Sequence, residues 1–301
     1  FGIELELSTS SDISTETVAA LIKKKAGVDA QDLTDDYAAA CSRNDIWVIM
    51  SDASLVCSRD IPGCNRFELK SPILRGKRGL QEVEHVIRAL EDIHSSINVN
   101  SSMGFHVHVN IAKLSKFELT CVCQNFIKYE KAMDSLMPPS RQDGNHYCQS
   151  NRLVIGANEG YTHEIGKVLA DCNSNKELAE LMCPNVKYYK LNMRPFLGRE
   201  ATYKPTIEFR QHSSMYNKLK IKNLIRFCMS FVHNSAKLWP PDPLEEDVDD
   251  IELFEMLMMR VVRDRSLRDY YRHRRSKFFE ERGDCCEGCA SGHGCEANIS
   301  K

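Results

Sequence analysis

Phe1-Gly-Ile-Glu-Leu-Glu-Leu7 alternates apolar and acidic residues without a break. A strand sends successive side chains to opposite faces. Ile3, Leu5 and Leu7 therefore enter a core, and Glu4 and Glu6 line the other side. The same period recurs in Gly104-Phe-His-Val-His-Val-Asn110, where His106 and His108 share a face and Val107 and Val109 turn away. It recurs around Glu68 in Arg66-Phe-Glu-Leu-Lys70, a run stopped by Ser71-Pro72 because the residue before proline stays extended. In Thr206-Ile-Glu-Phe-Arg-Gln-His212, Glu208 and Arg210 oppose Ile207 and Phe209. Such a chain is constrained to a sheet with one dry face and one face of acids, imidazoles and an arginine.

Taken singly, each strand fits a merely solvated polar face, and an isolated His-x-His is as readily two wet side chains as a site. Together the strands fit that account less well. A solvated face would accept Thr, Ser, Lys and Gln freely, and an acid flanked by core residues must be exposed or paired, because burying a lone charge is costly. Carboxylates with an occasional imidazole are the hard ligand set suited to Mg²⁺ or Mn²⁺.

Between these strands the periodicity changes to that of helices. Thr15 to Lys25 reads as a short amphipathic helix capped by Ser14 or Thr15, and Gly79 to Ile93 shows the stripe Leu80, Val83, Ile87, Leu90. Leu114 to Met137 is helical up to Pro138-Pro139, and Lys220 to Leu238 turns Leu224, Phe227, Phe231 and Val232 inward. Trp47 to Met50 and Lys187 to Met193 read as further strands, and the stretch from Asn145 to Cys183 reads as loops. Strands and helices mix without regular β-α-β alternation, so the expected class is α+β. Residues 1–239 form the expected catalytic domain. Pro240-Pro-Asp-Pro243 and an acidic linker then lead into a C-terminal helical extension over 240–284, and a Cys/Gly-rich tail occupies 285–301.

A formal net charge of −2 gives no global pull toward nucleic acid or anionic membrane. No run approaches the ~18 apolar residues of a membrane span. The basic run Arg263 to Lys277 reads as a solvated helix face rather than a nucleic-acid site, since Glu280, Glu281 and Asp284 follow it. Thirteen cysteines, scattered singly, suit reduced intracellular thiols better than a disulfide framework, and a cytoplasmic protein is expected. There is no HExxH, GxxxxGK[ST] or GxGxxG, so any phosphates would be held by metals and arginines.

The ordered set Phe1-Gly-Ile-Glu-Leu-Glu, Phe67-Glu-Leu-Lys-Ser-Pro-Ile-Leu-Arg-Gly, Gly104-Phe-His-Val-His-Val, Pro139-Ser-Arg141 and Thr206-Ile-Glu-Phe-Arg-Gln-His resembles the amidoligase family of the glutamine synthetase and glutamate–cysteine ligase superfamily. The resemblance runs over roughly residues 1 to 238. It implies a curved, mainly antiparallel sheet of the glutamine-synthetase-like type, with flanking helices, whose concave face carries metals and ATP. Carried over, Glu4, Glu6, Glu68, His106 and Glu208 would be metal ligands, His108 would lie near the nucleotide, and Arg210 would contact the transferred phosphoryl group. Met103-Gly-Phe-His stands where the synthetase has Gly-Met-His, with the glycine one place earlier, so the division of roles between His106 and His108 is open. Arg141 would bind the substrate carboxylate, Asp52 would position or deprotonate the amine, and Asn192 and Arg194 would reach nucleotide phosphates. Arg141 and Asp52 each have a bland reading beside this one, Arg141 as a surface arginine at a helix end and Asp52, above all, as a turn former.

The implied activity is an ATP-dependent carboxylate–amine ligase acting through an acyl phosphate, with Mg²⁺ or Mn²⁺ as cofactor. Its partners would be an amino acid, peptide or protein carboxylate and an amine donor. A phosphotransferase of the same fold class and a non-catalytic scaffold that retains the fold are the alternatives. In the tail, Cys286-x-x-Cys289 with Cys285, His293 and Cys295 has half the spacing of a structural Zn²⁺ site; a tail with free thiols is the plainer reading.

Overall fold

A computed structural model describes residues 1–288 except 62, 143, 158–159, 199–202 and 245–247, with side chains up to residue 276. The first alternating segment is the central strand β1 (Gly2–Thr9), paired antiparallel with β4 (Asn65–Lys70) on one side and with β6 (Phe105–Asn110) on the other. Outward from β4 lie β3 (Trp47–Met50), antiparallel, and β2 (Ala30–Asp32), the one parallel partner. Outward from β6 lie β8 (Thr206–Phe209) and β7 (Leu191–Asn192), and the short β5 (Ile97–Asn98) pairs with the end of β1. The result is α+β: an open, mostly antiparallel sheet with flanking helices.

The apolar half of each alternation supplies the core. Ile3, Leu5, Leu7, Phe67, Leu69, Phe105, Val107, Ile207 and Phe209 are all buried in one continuous cluster. Helices α1 (Thr15–Ala26), α3 (Gly76–Glu91), α4 (Lys116–Asp134) and α8 (Lys218–Ser235) contribute their apolar residues to it. Ser14 caps α1, and Ser115 with Glu118 forms a reciprocal capping box on α4, satisfying N–H groups that a helix start leaves unpaired. On the opposite face, α2 (Tyr37–Ser42) covers only the β3 end, where Ala40, Val48 and Met50 make a small second cluster. The rest of that face is left to the acids and histidines.

Several expectations shift. Lys187 to Met193 is a ladder strand only at Leu191–Asn192, because Lys190 is drawn inward by Glu130 and Asp134 and Tyr189 pairs instead with Gln149. The strand expected over Thr206 to His212 shortens to β8 (Thr206–Phe209). The stretch read as loops contains α5 (Asn151–Val154), α6 (His163–Ala170) and α7 (Asn175–Met182). The thiols are not all free: Cys57 and Cys64 form a disulfide, while Cys41, Cys121, Cys123, Cys148, Cys172, Cys183 and Cys228 are free.

Beyond residue 240, α9 (Asp250–Met256) runs into a π-helical turn over Leu257–Val262, and α10 (Arg265–Gly288) follows. Leu253, Phe254, Leu257, Met258, Val261, Val262, Leu267 and Tyr271 join the main core. The zinc expectation rests on Cys289, His293 and Cys295, which lie outside the described residues, and on the side chains of Cys285 and Cys286, which lie outside them too. Among the described residues no helix is long and apolar enough to cross a membrane.

Candidate active site

Strand register decides which polar side chains meet. Glu4 on β1 stands opposite His106 on β6, Glu6 opposite Glu68 on β4, and His108 opposite Glu208 on β8. Opposed residues of an antiparallel pair share a face, with Cβ atoms about 5 Å apart. The polar halves of β4, β1, β6 and β8 thus form one band across the sheet.

Two groups of ligand-type atoms converge in that band. Glu4, His108 and Glu208 form one, and Glu6, Asp52 and Glu68 the other; within each, one atom per residue lies within 4.8 Å of the others. His106 sits between them, 97% enclosed. Its Nδ1 is 3.4 Å from both Glu4 Oε2 and Glu208 Oε1, and its Nε2 is 3.7 Å from Glu6 Oε1. His108 Nε2 lies 3.1 Å from Glu4 Oε1 and 3.9 Å from Glu208 Oε1. The nearer contact pairs imidazole and carboxylate directly.

Gly104 allows the packing around His106. A Cβ there would come within 2.6 Å of His106 Nε2, and the Gly104 N–H donates to Glu6 Oε2. Only glycine fits that close approach.

The charges are not evenly balanced. Burial alone would raise the Glu4 carboxyl, but His108 and His106 outweigh it and hold it well below the ordinary range. Burial acts likewise on Glu208, and Arg210 with His108 brings it down. His108 itself is raised, the attraction of Glu4 and Glu208 exceeding the effect of burial. Glu68 goes the other way: burial, then Glu4, Glu6, Asp52 and Glu208, push its carboxyl well above the usual range. The first group is held ionised by its neighbours, whereas in the second Glu68 is disfavoured in its charged form.

Arg210 donates to Glu208 Oε1 from the next same-face position of the chain. Asn192 commits its amide to Glu208 Oε2 at 2.6 Å, so it orients that carboxylate. Arg194 opens the turn Arg194–Leu197, with its backbone N–H on Asn192 Oδ1, and lines neither of the pockets described below. Asp52 comes from the loop after β3. Its Oδ1 accepts from the Ser54 N–H and hydroxyl, closing a turn, and the carboxylate still reaches Glu6 and Glu68. Arg66 and Asn100 hold this loop through the carbonyls of Leu55 and Val56, and the Cys57–Cys64 disulfide closes it.

The band runs between two pockets. One, of about 210 Å³, is lined by Glu4, His108, Lys70, Lys204, Ile73 and Tyr203 among others. Lys70 reaches from it to the α2 carbonyls of Ala40 and Cys41. The other, of about 240 Å³, is lined by Glu6, Asp52 and His106 together with Arg141, Arg210, Lys187, Tyr147 and Tyr188. Arg141 is buried there, its guanidinium donating to the Met103 carbonyl and its Nε without a partner.

The donor sets fit hard divalent cations: carboxylate oxygens with one imidazole in the first group, and carboxylates alone in the second. The sequence pattern could not choose between the two histidines; the geometry groups His108 with Glu4 and Glu208 and leaves His106 as the bridge. Lys187, Tyr147 and Tyr188 escaped sequence reasoning altogether, because no periodicity marks a pocket wall built from irregular segments.

Comparison with curated proteins gives no match. A family model described as "putative amidoligase enzyme" matches residues 1–232, a span that holds both acidic groups and both pockets. The chain thus belongs to the amidoligase family, a membership that supports ligase-type activity in general.

Proposed function

We propose that this protein is an ATP-dependent carboxylate–amine ligase, which activates a carboxylate as its acyl phosphate and passes the acyl group to an amine. The observation that carries this reading is the seating of two cation-suited groups between a lysine-containing pocket and an arginine-lined one. A carboxylate cannot lose oxide to an amine, so it must first gain a better leaving group. ATP supplies the phosphoryl group, inorganic phosphate leaves, and an amide remains.

Glu4, His108 and Glu208 would hold one divalent ion, Mg²⁺ or Mn²⁺, and Glu6, Asp52 and Glu68 a second, with His106 ordering the carboxylates between them. Such ions, when bound, offset phosphate charge and polarise the transferred group. The protein's own residues do the rest. Nucleotide enters on the side of Lys204, Tyr203 and Ile73, where a flat base meets apolar walls and phosphates meet a lysine. Arg141 holds the acyl substrate's carboxylate end, as a fixed guanidinium fork suits. Arg210, steadied by Glu208, faces the phosphoryl group in transit, where an oriented charge lowers the barrier most. Asp52 lines the same pocket and takes up the amine's proton. A cytoplasmic setting suits these co-substrates.

The test is incubation with ATP, Mg²⁺ and pooled amino acids or peptides, following phosphate release and new masses. Amide products with one phosphate released per bond are expected. Phosphate transfer that needs no amine, or no ATP turnover with any acyl compound, overturns the reading.

A further inference from the structure

Behind the arginine-lined pocket lies a buried charge cluster that the proposed chemistry does not use. The Lys190 side chain is fully enclosed, with Nζ 3.0 Å from Glu130 Oε1 and 2.7 Å from Asp134 Oδ1. Both acids stand on α4 four residues apart, and so on one face. Asp134 also accepts from Gln211 Nε2, and that same amide donates to the Arg141 carbonyl at 3.1 Å. The Lys190 backbone extends the connection. Its carbonyl accepts the Arg210 N–H at 2.9 Å, and its N–H donates to the Gln149 carbonyl at 2.9 Å. The Gln149 N–H in turn donates to the Tyr188 carbonyl at 2.7 Å.

Each segment that carries a cation of the pocket is therefore tied to this cluster: Arg141 through Gln211, Arg210 through the Lys190 carbonyl, and Lys187 through its neighbour Tyr188. A buried ion cluster is a poor source of net stability, since well-packed apolar groups of equal volume often do as well. What it does provide is direction. Charge-assisted hydrogen bonds fix the strand end against α4 at a set angle, as dispersion contacts cannot.

We propose that Lys190, Asp134 and Gln211 are positioning residues, which set the geometry of the anion-binding wall formed by Arg141 and Arg210. The inference rests on reading that pocket as the acyl-substrate site. It separates two properties of the molecule: the cation-suited groups are positioned by strand register and the Asp52 loop, and the anion-binding wall is positioned by this cluster.

The experiment uses the full chain without divalent metal and inorganic phosphate as the probe, measured by titration calorimetry, with Mn²⁺ binding followed separately. Arg141→Gln should abolish phosphate binding, which locates the probe in this pocket. Gln211→Leu should weaken phosphate about tenfold or more, the scale of a misaligned charged hydrogen bond, and leave Mn²⁺ affinity within about twofold. The combined Lys190→Met, Glu130→Gln, Asp134→Asn variant removes the three charges of the cluster together, and should show the same split. If that variant does not fold, Gln211→Leu decides alone. Unchanged phosphate affinity in Gln211→Leu overturns the proposal, as does a parallel loss of Mn²⁺ and phosphate binding, which marks general damage. If the unaltered protein binds no phosphate, or binds it regardless of Arg141, the reading of the pocket fails and the proposal falls with it.

Discussion

The two ends of the acidic band are built on different plans. At the Glu4 end, all three converging residues come from strands, and His106, Arg210 and Asn192 surround them with donors. At the Glu68 end, all three are carboxylates, and one of them, Asp52, arrives on an irregular loop. The first end is organised and charge-compensated before anything binds. The second gathers three carboxylates, and burial followed by its acidic neighbours pushes Glu68 well above the usual range, so that a proton or a cation would relieve it. A pre-set site and a demanding site, side by side, suit a centre in which one ion stays and another arrives with substrate.

The largest test breaks both ends. Glu208→Gln and Glu6→Gln each remove one ligand charge at nearly constant volume. Each should lower ATP-dependent amide formation by roughly a thousandfold or more, with the far-ultraviolet spectrum unchanged. Activity within tenfold of the unaltered protein would reject the assignment of the band as the site.

The contrast itself is sharpened by Glu68→Gln. Removing a carboxyl whose charged form is disfavoured by burial and by its acidic neighbours should stabilise the cation-free protein by on the order of 1 kcal/mol, about 2–4 °C in melting temperature. The same change should reduce the melting-temperature rise that Mn²⁺ gives the unaltered protein, leaving the share due to the strand-borne group. Glu4→Gln should not stabilise, because its carboxylate is compensated already. Equal behaviour of the two variants would erase the distinction between the ends.

A smaller effect is expected from the loop. Cys57→Ser with Cys64→Ser, or a dithiol reductant, frees the segment that presents Asp52. Mn²⁺ should then bind the second group a few-fold more weakly, roughly 1 kcal/mol, with the strand-borne group unaffected in paramagnetic resonance titrations.

The smallest effect tests the backing of the organised end. His212, whose carbonyl accepts the Phe105 N–H, is buried beside Arg274, and its imidazole is pushed down to about 3. Its folded form stays neutral where the unfolded chain takes up a proton. Stability is thus complete above about pH 6.5 and declines as pH falls toward 3. Between pH 6.5 and 5.5, His212→Asn should lose less than the unaltered protein, by up to roughly 1 kcal/mol. Parallel melting curves would remove this account.

Much of the organised end was legible because period-two alternation states which side chain faces which way, and Glu4, His106, His108 and Glu208 all lie on regular strands. What alternation does not state is register. Choosing between His106 and His108 needed the pairing of β6 with β1 and β8, which turns and core packing fix over a hundred residues. Asp52 could be read only as a turn residue, since it is one; its second role depends on where a disulfide-closed loop leads. The Lys190 cluster was invisible because a lysine in Tyr188-Tyr-Lys190 looks like any strand-edge lysine until two acids from a distant helix meet it. The α2 helix and α5 to α7 are short, and short helices take their stability from tertiary contacts more than from their own sequence.

The family match stops at residue 232, but the packing of the core does not. Leu253, Phe254, Leu257, Met258, Val261 and Val262 fill the groove of α4 and α8, on the far side of the sheet from the acids. A recombinant fragment cut where the family resemblance ends would carry the acidic face and a bare greasy flank. Such a fragment would self-associate in solution, and its failure would say nothing about catalysis. For this chain, the unit of homology is shorter than the unit that folds.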